Sequence, residues 1–143
     1  MKLNQLMTKN VRTCSPDSTV QEAARIMSEV NCGAVPVTQG DQVVGIVTDR
    51  DIVLRCVTKG GDPTTGKVSE CMTRDCVTAT PEMDAHEAAN LMAQRQIRRL
   101  PVVENGKLRG IVALGDMATV NIHVNEAGQA LSDISEPAQP GAH

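Results

Sequence analysis

The chain contains no phenylalanine, tyrosine or tryptophan. Its core must therefore consist of aliphatic and methionine side chains, and the protein offers no aromatic surface on which a nucleic acid base could stack. The formal net charge of −3 leaves no basic surplus to neutralise a phosphate backbone. These two absences predict that neither DNA nor RNA is a partner.

Long apolar runs and paired metal-ligand motifs are also missing. No stretch reaches the roughly 18 apolar residues of a membrane-spanning helix, and the N-terminus has no apolar run of signal-peptide length. The five cysteines are odd in number and scattered, without the CxxC or HxxxH spacing of a metal site. With 41% hydrophobic and 22% charged residues, the composition predicts a globular cytoplasmic protein with reduced thiols, no bound metal and no membrane contact.

What the sequence does contain is a repeat in a single register, 65 positions apart. The matches need no gap and include Met7-Thr8 with Met72-Thr73, Pro16 with Pro81, residues 22–24 with 87–89, and residues 45–47 with 110–112. A fixed spacing indicates one supersecondary unit built twice, so we expect two halves packed with pseudo-twofold symmetry. The predicted division is repeat 1 (residues 1–59), a linker (60–67), repeat 2 (68–125) and a mobile, aperiodic tail (126–143).

Each repeat is predicted to run strand, helix, strand, strand, helix, which is an α+β arrangement. The elements predicted for repeat 1 are an extended piece at residues 11–13, a helix capped by Thr19 and Glu22 that ends near Glu29, strands at 34–37 and 43–47, and a helix from Thr48 towards Lys59. Those predicted for repeat 2 are a helix capped by Asp84 and Glu87, strands at 100–103 and 109–112 around an Asn105-Gly106 hairpin, and a helix from Ala113 towards Val124.

The best candidate for function is the run from Gly45 to Asp51, where a strand leads directly into a helix whose first turn carries Thr48 and Asp51. These side chains could simply cap the helix by bonding its unpaired amides. Alternatively, the helix N-terminus could attract a phosphate while the carboxylate accepts hydrogen bonds from ribose hydroxyls. The residues by themselves leave both interpretations open.

The doubled pattern of residues 19–23, 35–37 and 45–51 resembles a tandem pair of cystathionine-β-synthase (CBS) domains, known as a Bateman module. The resemblance covers about residues 7–124 and is closest in kind to small stand-alone bacterial CBS pairs, including those of hypoxic and general stress responses. It implies an α+β fold of two β-α-β-β-α CBS repeats, a homodimer, and a non-catalytic sensor that binds an adenosine ligand in clefts between the repeats. AMP or ATP is the expected ligand, ADP, S-adenosylmethionine and NAD are further candidates, no other cofactor is required, and the effector protein is unknown.

The resemblance also assigns residues to the two clefts. In the first cleft Asp51 would hold the ribose hydroxyls and Thr48 would contact phosphate or ribose, and the walls would be Thr78, Ala79, Pro81, Ile97, Arg98 and Arg99. In the second cleft Asp116 would hold the ribose, Arg98 or Arg99 would lie near phosphate, and the walls would be Thr13, Pro16, Gly33 and Ala34. Because Ala113 stands where Thr48 stands in the first copy, we expect the second cleft to bind more weakly.

Three questions stay open at the level of the sequence. Arg98 and Arg99, together with Arg95, could clamp a phosphate or could only complement the C-terminal end of a helix. The protein could instead be a structural dimerisation module without a ligand. The cysteines could also make it a thiol-based redox sensor.

Overall fold

The structure, a computed structural model, describes residues 1–118. Its helices are α1 (Val20–Val30), α2 (Asp49–Ile52, followed by a π-helical turn at Val53–Val57), α3 (Ala85–Arg95) and α4 (Leu114–Ala118). Its strands are β1 (Ala34–Gln39), β2 (Gln42–Thr48), β3 (Thr73–Arg74), β4 (Arg99–Glu104) and β5 (Lys107–Ala113). These elements confirm the α+β class; repeat 2 has the predicted β-α-β-β-α order, whereas no strand precedes α1 in repeat 1. The end of the last predicted helix and the tail at residues 126–143 lie outside the described residues.

The described residues form two compact units, and neither coincides with one sequence repeat. The first unit contains residues 1–9, 78–102 and 109–118, and the second contains residues 10–77 and 103–108. In the first unit Thr8, from repeat 1, pairs with Ile111 of repeat 2. In the second unit Thr73, from repeat 2, pairs with Ile46 of repeat 1. The first unit, built mainly from repeat 2, thus includes the opening residues of repeat 1. The second unit, built mainly from repeat 1, includes the opening strand of repeat 2.

The helices begin where the polar side chains of the sequence predict. Thr19 Oγ1 accepts a hydrogen bond from the Glu22 N–H at 3.1 Å and caps α1. Asp84 caps α3 by accepting at 2.9 Å from the N–H of His86, which lies two positions ahead and not three. Behind the first cap, one face of α1 packs into an aliphatic and sulfur-containing core of the second unit, which comprises Cys14, Val20, Ala23, Met27, Val35, Val37, Val47, Cys56, Val68, Cys71 and Met72.

The strands on either side of each tight turn are hydrogen-bonded neighbours, β1 with β2 in antiparallel pairing and β4 with β5. Asn105 and Gly106 have φ values of 54° and 81°, the two positive values that a type I′ hairpin requires. Gly40, in the turn between β1 and β2, has a φ of 65°. The predicted Asn105-Gly106 hairpin is thus confirmed, and a second hairpin, between β1 and β2, returns the chain along β2 to Thr48.

The predicted opening strand at residues 11–13 is wrong. No strand lies there; Cys14 makes a single parallel bridge to Val37, and the opening strand of repeat 2 is β3, which pairs with β2. β3 can lie against β2 because Gly45 has no side chain, since a Cβ atom at this position would lie 2.5 Å from the Thr73 carbonyl oxygen. Gly110 permits the same approach of Thr8, whose carbonyl oxygen would lie 2.7 Å from such an atom. This pairing explains why Met-Thr and Gly-Ile-Val recur together in the sequence.

Candidate functional site

Thr48 and Asp51 form a reciprocal capping box at the start of α2. The Asp51 N–H donates to Thr48 Oγ1 at 3.0 Å, and the Thr48 N–H donates to Asp51 Oδ2 at 3.0 Å. The capping interpretation of these residues is therefore correct as a description of the local structure. It fixes the position of the Asp51 carboxylate without using all of its acceptor capacity.

The Asp51 carboxylate also receives two side chains from elsewhere in the second unit. Thr73 Oγ1 lies 3.3 Å from each of the two carboxylate oxygens. Arg55 Nε lies 3.9 Å from Asp51 Oδ1, and Arg55 Nη1 donates to the Met72 carbonyl at 3.0 Å. The side chain of Asp51 is 12% exposed, so the carboxylate is shielded, fixed by the backbone and balanced by one cation.

Sequence reasoning missed both Thr73 and Arg55. A signal for Thr73 was present, because Met72-Thr73 repeats Met7-Thr8 in register, but the repeat alone does not say which carboxylate the hydroxyl approaches. Arg55 has no counterpart, since Val120 occupies its position in repeat 2. Nothing in the sequence pattern marks it.

Asp116, the counterpart of Asp51, lies at the start of α4 in the first unit. Its Oδ2 accepts from the Ala113 N–H at 2.8 Å. Because Ala113 has no hydroxyl, the reciprocal half of the capping box is missing here. The two acidic positions therefore differ in their capping bonds, and the weaker binding expected at Asp116 stays a prediction.

The structure brings Gly33 and Ala34 next to Thr48 within the second unit. Ala34 is the strand partner of Thr48, and the Asp49 N–H donates to the Gly33 carbonyl at 2.9 Å. Thr13 and Pro16 belong to the same unit and are half-buried. Thr13, Pro16, Gly33 and Ala34 are expected to line the second cleft, opposite Asp51, and this expectation stays a prediction.

The other predicted wall residues belong to the first unit, together with Asp116. Ala79 is buried and donates its N–H to the Pro101 carbonyl at 2.9 Å, so its own backbone amide is occupied. Pro81 is also buried, Thr78 is exposed and Ile97 is half-buried. Their part in binding a base stays a prediction.

Arg98 and Arg99 lie beyond the end of α3, whose last turn carries only Arg95 as a basic residue. The helix-end interpretation therefore applies to Arg95 and not to the other two arginines. The Arg98 carbonyl accepts from the Leu114 N–H at 3.0 Å, which places the Arg98 backbone at the first turn of α4. The structure thus brings Arg98 and the turn of Asp116 together.

Three of the five thiols, those of Cys14, Cys71 and Cys76, are in environments that suppress their reactivity. Burial raises the pKa of the Cys14 thiol to about 11. Burial also raises the pKa of Cys71 and of Cys76, and the negative charge of Asp51 adds to the rise at Cys71. Since the thiolate is the reactive form, these shifts disfavour a redox sensor built on Cys14, Cys71 or Cys76.

The family of the chain is shown by its match to the CBS domain model twice, over residues 3–57 and 68–122. The chain belongs to the CBS-domain family. A CBS domain-containing protein of Bacillus subtilis (strain 168), YhcV, is 48% identical over 129 residues that cover 90% of this chain and 91% of that protein. The chain is accordingly a regulatory module of the CBS-pair type.

Solved CBS structures resemble the chain over most of its length. Hypoxic Response Protein I, solved with two coordinated zinc ions, matches with a TM-score of 0.78 and 31% identity over 83% of this chain and 98% of that one. A hexameric CBS-CP12 protein from bloom-forming cyanobacteria matches with a TM-score of 0.74 and 34% identity over 87% of this chain and 74% of that one.

Metal-binding clusters and membrane-spanning helices are both absent from residues 1–118. No group of three histidine, cysteine, aspartate or glutamate side chains within this range could hold a metal ion. Among the same residues, no helix has the length and apolar character needed to cross a bilayer.

Proposed function

We propose that this CBS pair is a non-catalytic sensor that binds an adenosine nucleotide, AMP, ADP or ATP, and passes its occupancy to a partner protein. The observation that carries the proposal is the Asp51 carboxylate, which the Thr48 amide fixes in place at 3.0 Å and whose side chain is 12% exposed. A shielded carboxylate forms stronger hydrogen bonds than one in bulk water, because water competes less for it.

Ribose hydroxyls, and not phosphate, are the ligand groups that suit Asp51. An ionised carboxylate only accepts hydrogen bonds, and it repels a phosphate through its negative charge. The vicinal 2′ and 3′ hydroxyls of ribose supply two donors for its two oxygens. S-Adenosylmethionine and NAD contain the same diol, so they are further candidates for the same position.

The phosphate is proposed to lie near Arg98 or Arg99. A guanidinium group pairs with phosphate through two parallel hydrogen bonds, and the Arg98 backbone lies at the turn that carries Asp116. We propose that the remaining predicted residues line the base, namely Thr13, Pro16, Gly33, Ala34, Thr78, Ala79, Pro81 and Ile97.

Binding at Asp51 is proposed to be tighter than binding at Asp116. The hydroxyl of Thr48 completes the capping box around Asp51, whereas Ala113 has no side-chain hydroxyl to do the same at Asp116. A missing hydrogen bond of ordinary strength corresponds to about 1 kcal/mol. The nucleotide can regulate a partner only as far as it binds one conformation better than another.

Titration calorimetry with AMP and 2′-deoxy-AMP tests this proposal directly. We expect AMP to bind and 2′-deoxy-AMP to bind about tenfold more weakly, because one hydrogen bond to a charged acceptor is lost. Since the chain lacks aromatic residues, absorbance at 260 nm after gel filtration also reports any copurified nucleotide. Equal affinities would contradict the proposed hydrogen bonds from the ribose diol to Asp51. An absence of binding heat with all of AMP, ADP, ATP, S-adenosylmethionine and NAD would contradict nucleotide binding.

We further propose that the protein forms a homodimer through the helical segment after α2. Val53, Leu54 and Val57 are exposed there to 50, 45 and 58%, respectively, and self-association would remove this apolar surface from water. Sedimentation equilibrium is expected to give twice the chain mass for the native protein and the monomer mass for Val57→Lys. The exposed residue Gln39, changed to Lys, is the control, and a dimeric Val57→Lys protein would contradict this interface.

A further inference from the structure

We infer that the Thr73 hydroxyl competes with the ligand for Asp51, so that a ribose hydroxyl must displace it when nucleotide binds. The inference rests on the proposed function, because it takes Asp51 as the ribose-binding group. It adds a residue that sets the affinity and a segment of the chain that responds to occupancy.

The geometry of the two hydrogen bonds to Asp51 distinguishes a fixed partner from a replaceable one. The Thr48 N–H approaches one oxygen at 3.0 Å and belongs to the capping box. Thr73 Oγ1 lies 3.3 Å from both oxygens, yet a hydroxyl has one proton to donate. The Thr73 interaction is therefore long and shared, and a ribose hydroxyl in direct line with one oxygen would form the better bond.

The Thr73 side chain also ties β3 to the site. The backbone of β3 pairs with β2 at only two positions, Ile46 with Thr73 and Gly45 with Arg74. Arg55 adds a second tie, because it lies near Asp51 and donates to the Met72 carbonyl. Displacing the Thr73 hydroxyl thus removes one of few attachments of a two-residue strand, while buried Met72 keeps the preceding segment in place.

β3 lies close to the point where the chain leaves the second unit, so a displacement of the Thr73 hydroxyl affects that exit segment. The strand ends at Arg74, and the chain passes from the second unit to the first after Val77. A change in the attachment of β3 therefore alters the restraint on the segment through which the chain leaves the second unit. Ligand binding at Asp51 would be transmitted along the backbone, with no need for a separate contact.

Three variants of Thr73 test the inference by calorimetry with AMP. Thr73→Val keeps the shape and the β-branch but removes the hydroxyl, so we expect AMP to bind about fivefold more tightly. Thr73→Ser keeps the hydroxyl and is expected to bind like the native protein. Thr73→Ala is the second hydroxyl-free variant, and circular dichroism melting establishes that each variant is folded.

Hydrogen exchange of the peptide spanning residues 68–77 gives a second, independent readout. AMP is expected to speed exchange in this peptide in the native protein and in Thr73→Ser. In Thr73→Val the exchange is expected to be fast already without ligand and to change little when AMP is added.

The outcomes separate this inference from the proposed function. If the native protein binds AMP but Thr73→Val and Thr73→Ala bind equally well or more weakly, competition is overturned and nucleotide binding stands. If AMP leaves exchange in residues 68–77 of the native protein unchanged, the transmission step is overturned. If the native protein binds no nucleotide, both proposals fail together.

Discussion

Asp51→Asn is expected to weaken AMP binding by about 30-fold, or about 2 kcal/mol, because hydrogen bonds to a charged acceptor are worth more than those to a neutral one. Asparagine keeps the size of the side chain and one carbonyl oxygen for the Thr48 N–H, so the turn into α2 is retained. Its amide nitrogen is a donor and cannot accept a ribose hydroxyl. Titration calorimetry with AMP measures the change, and the melting temperature by circular dichroism shows that the variant is folded.

The matched control is Asp41→Asn, which makes the same change of charge in the turn between β1 and β2. Asp41 is exposed, and its ion pair with Lys107 at 3.6 Å lies at the surface, where such pairs contribute little. Its AMP affinity should equal that of the native protein. If both variants weaken binding alike, the effect is one of overall charge, and if neither does, Asp51 is only a cap.

The same substitution of aspartate by asparagine, made separately at Asp116, distinguishes the two acidic positions. Asp116→Asn removes a carboxylate whose turn lacks the hydroxyl that Thr48 supplies at Asp51. Its effect should therefore fall on the weaker of two binding events. Calorimetry of the Asp51→Asn and Asp116→Asn proteins would show which position binds AMP more tightly. We expect it to be Asp51, because Thr48 has a hydroxyl and Ala113 does not.

The parts of the fold that the sequence predicted are those set by neighbouring residues. Thr19 and Asp84 mark the first turns of α1 and α3 because their side chains bond amides two or three positions ahead. Asn105-Gly106 marks a hairpin because both residues accept positive φ. Such interactions join residues only a few positions apart, so the residue types along the sequence are sufficient to predict them.

The parts that escaped prediction depend on which distant segment a residue meets. A repeat of 65 positions is the same whether Thr73 pairs within its own copy or with β2 of the other copy. Neighbouring residues alone predict an opening strand at residues 11–13, whereas the short strand that pairs with β2 is β3, from repeat 2. For the same reason Thr48 and Asp51 could be identified from the sequence, but Thr73 and Arg55 could not.

Gly45→Ala is expected to destabilise the protein by about 3 kcal/mol, the upper end of the usual cost of an inserted methyl group. Its Cβ would lie 2.5 Å from the Thr73 carbonyl oxygen and 3.4 Å from the Thr73 carbonyl carbon. Both atoms belong to the backbone of β3, which cannot move aside by rotating a side chain. Urea unfolding followed by circular dichroism measures the loss, since the chain has no tryptophan to report by fluorescence.

Gly115→Ala is the matched control, because the same methyl group placed in α4 meets nothing within 4 Å. There alanine should stabilise the protein by about 0.5–1 kcal/mol through its higher helix propensity. Opposite signs for one substitution at two glycines would show that the close approach of β3, and not glycine itself, is what Gly45 provides. Equal, small effects at both positions would mean that β3 is free to move away from β2, and the hydrogen bond from Thr73 to Asp51 would then contribute little to the fold.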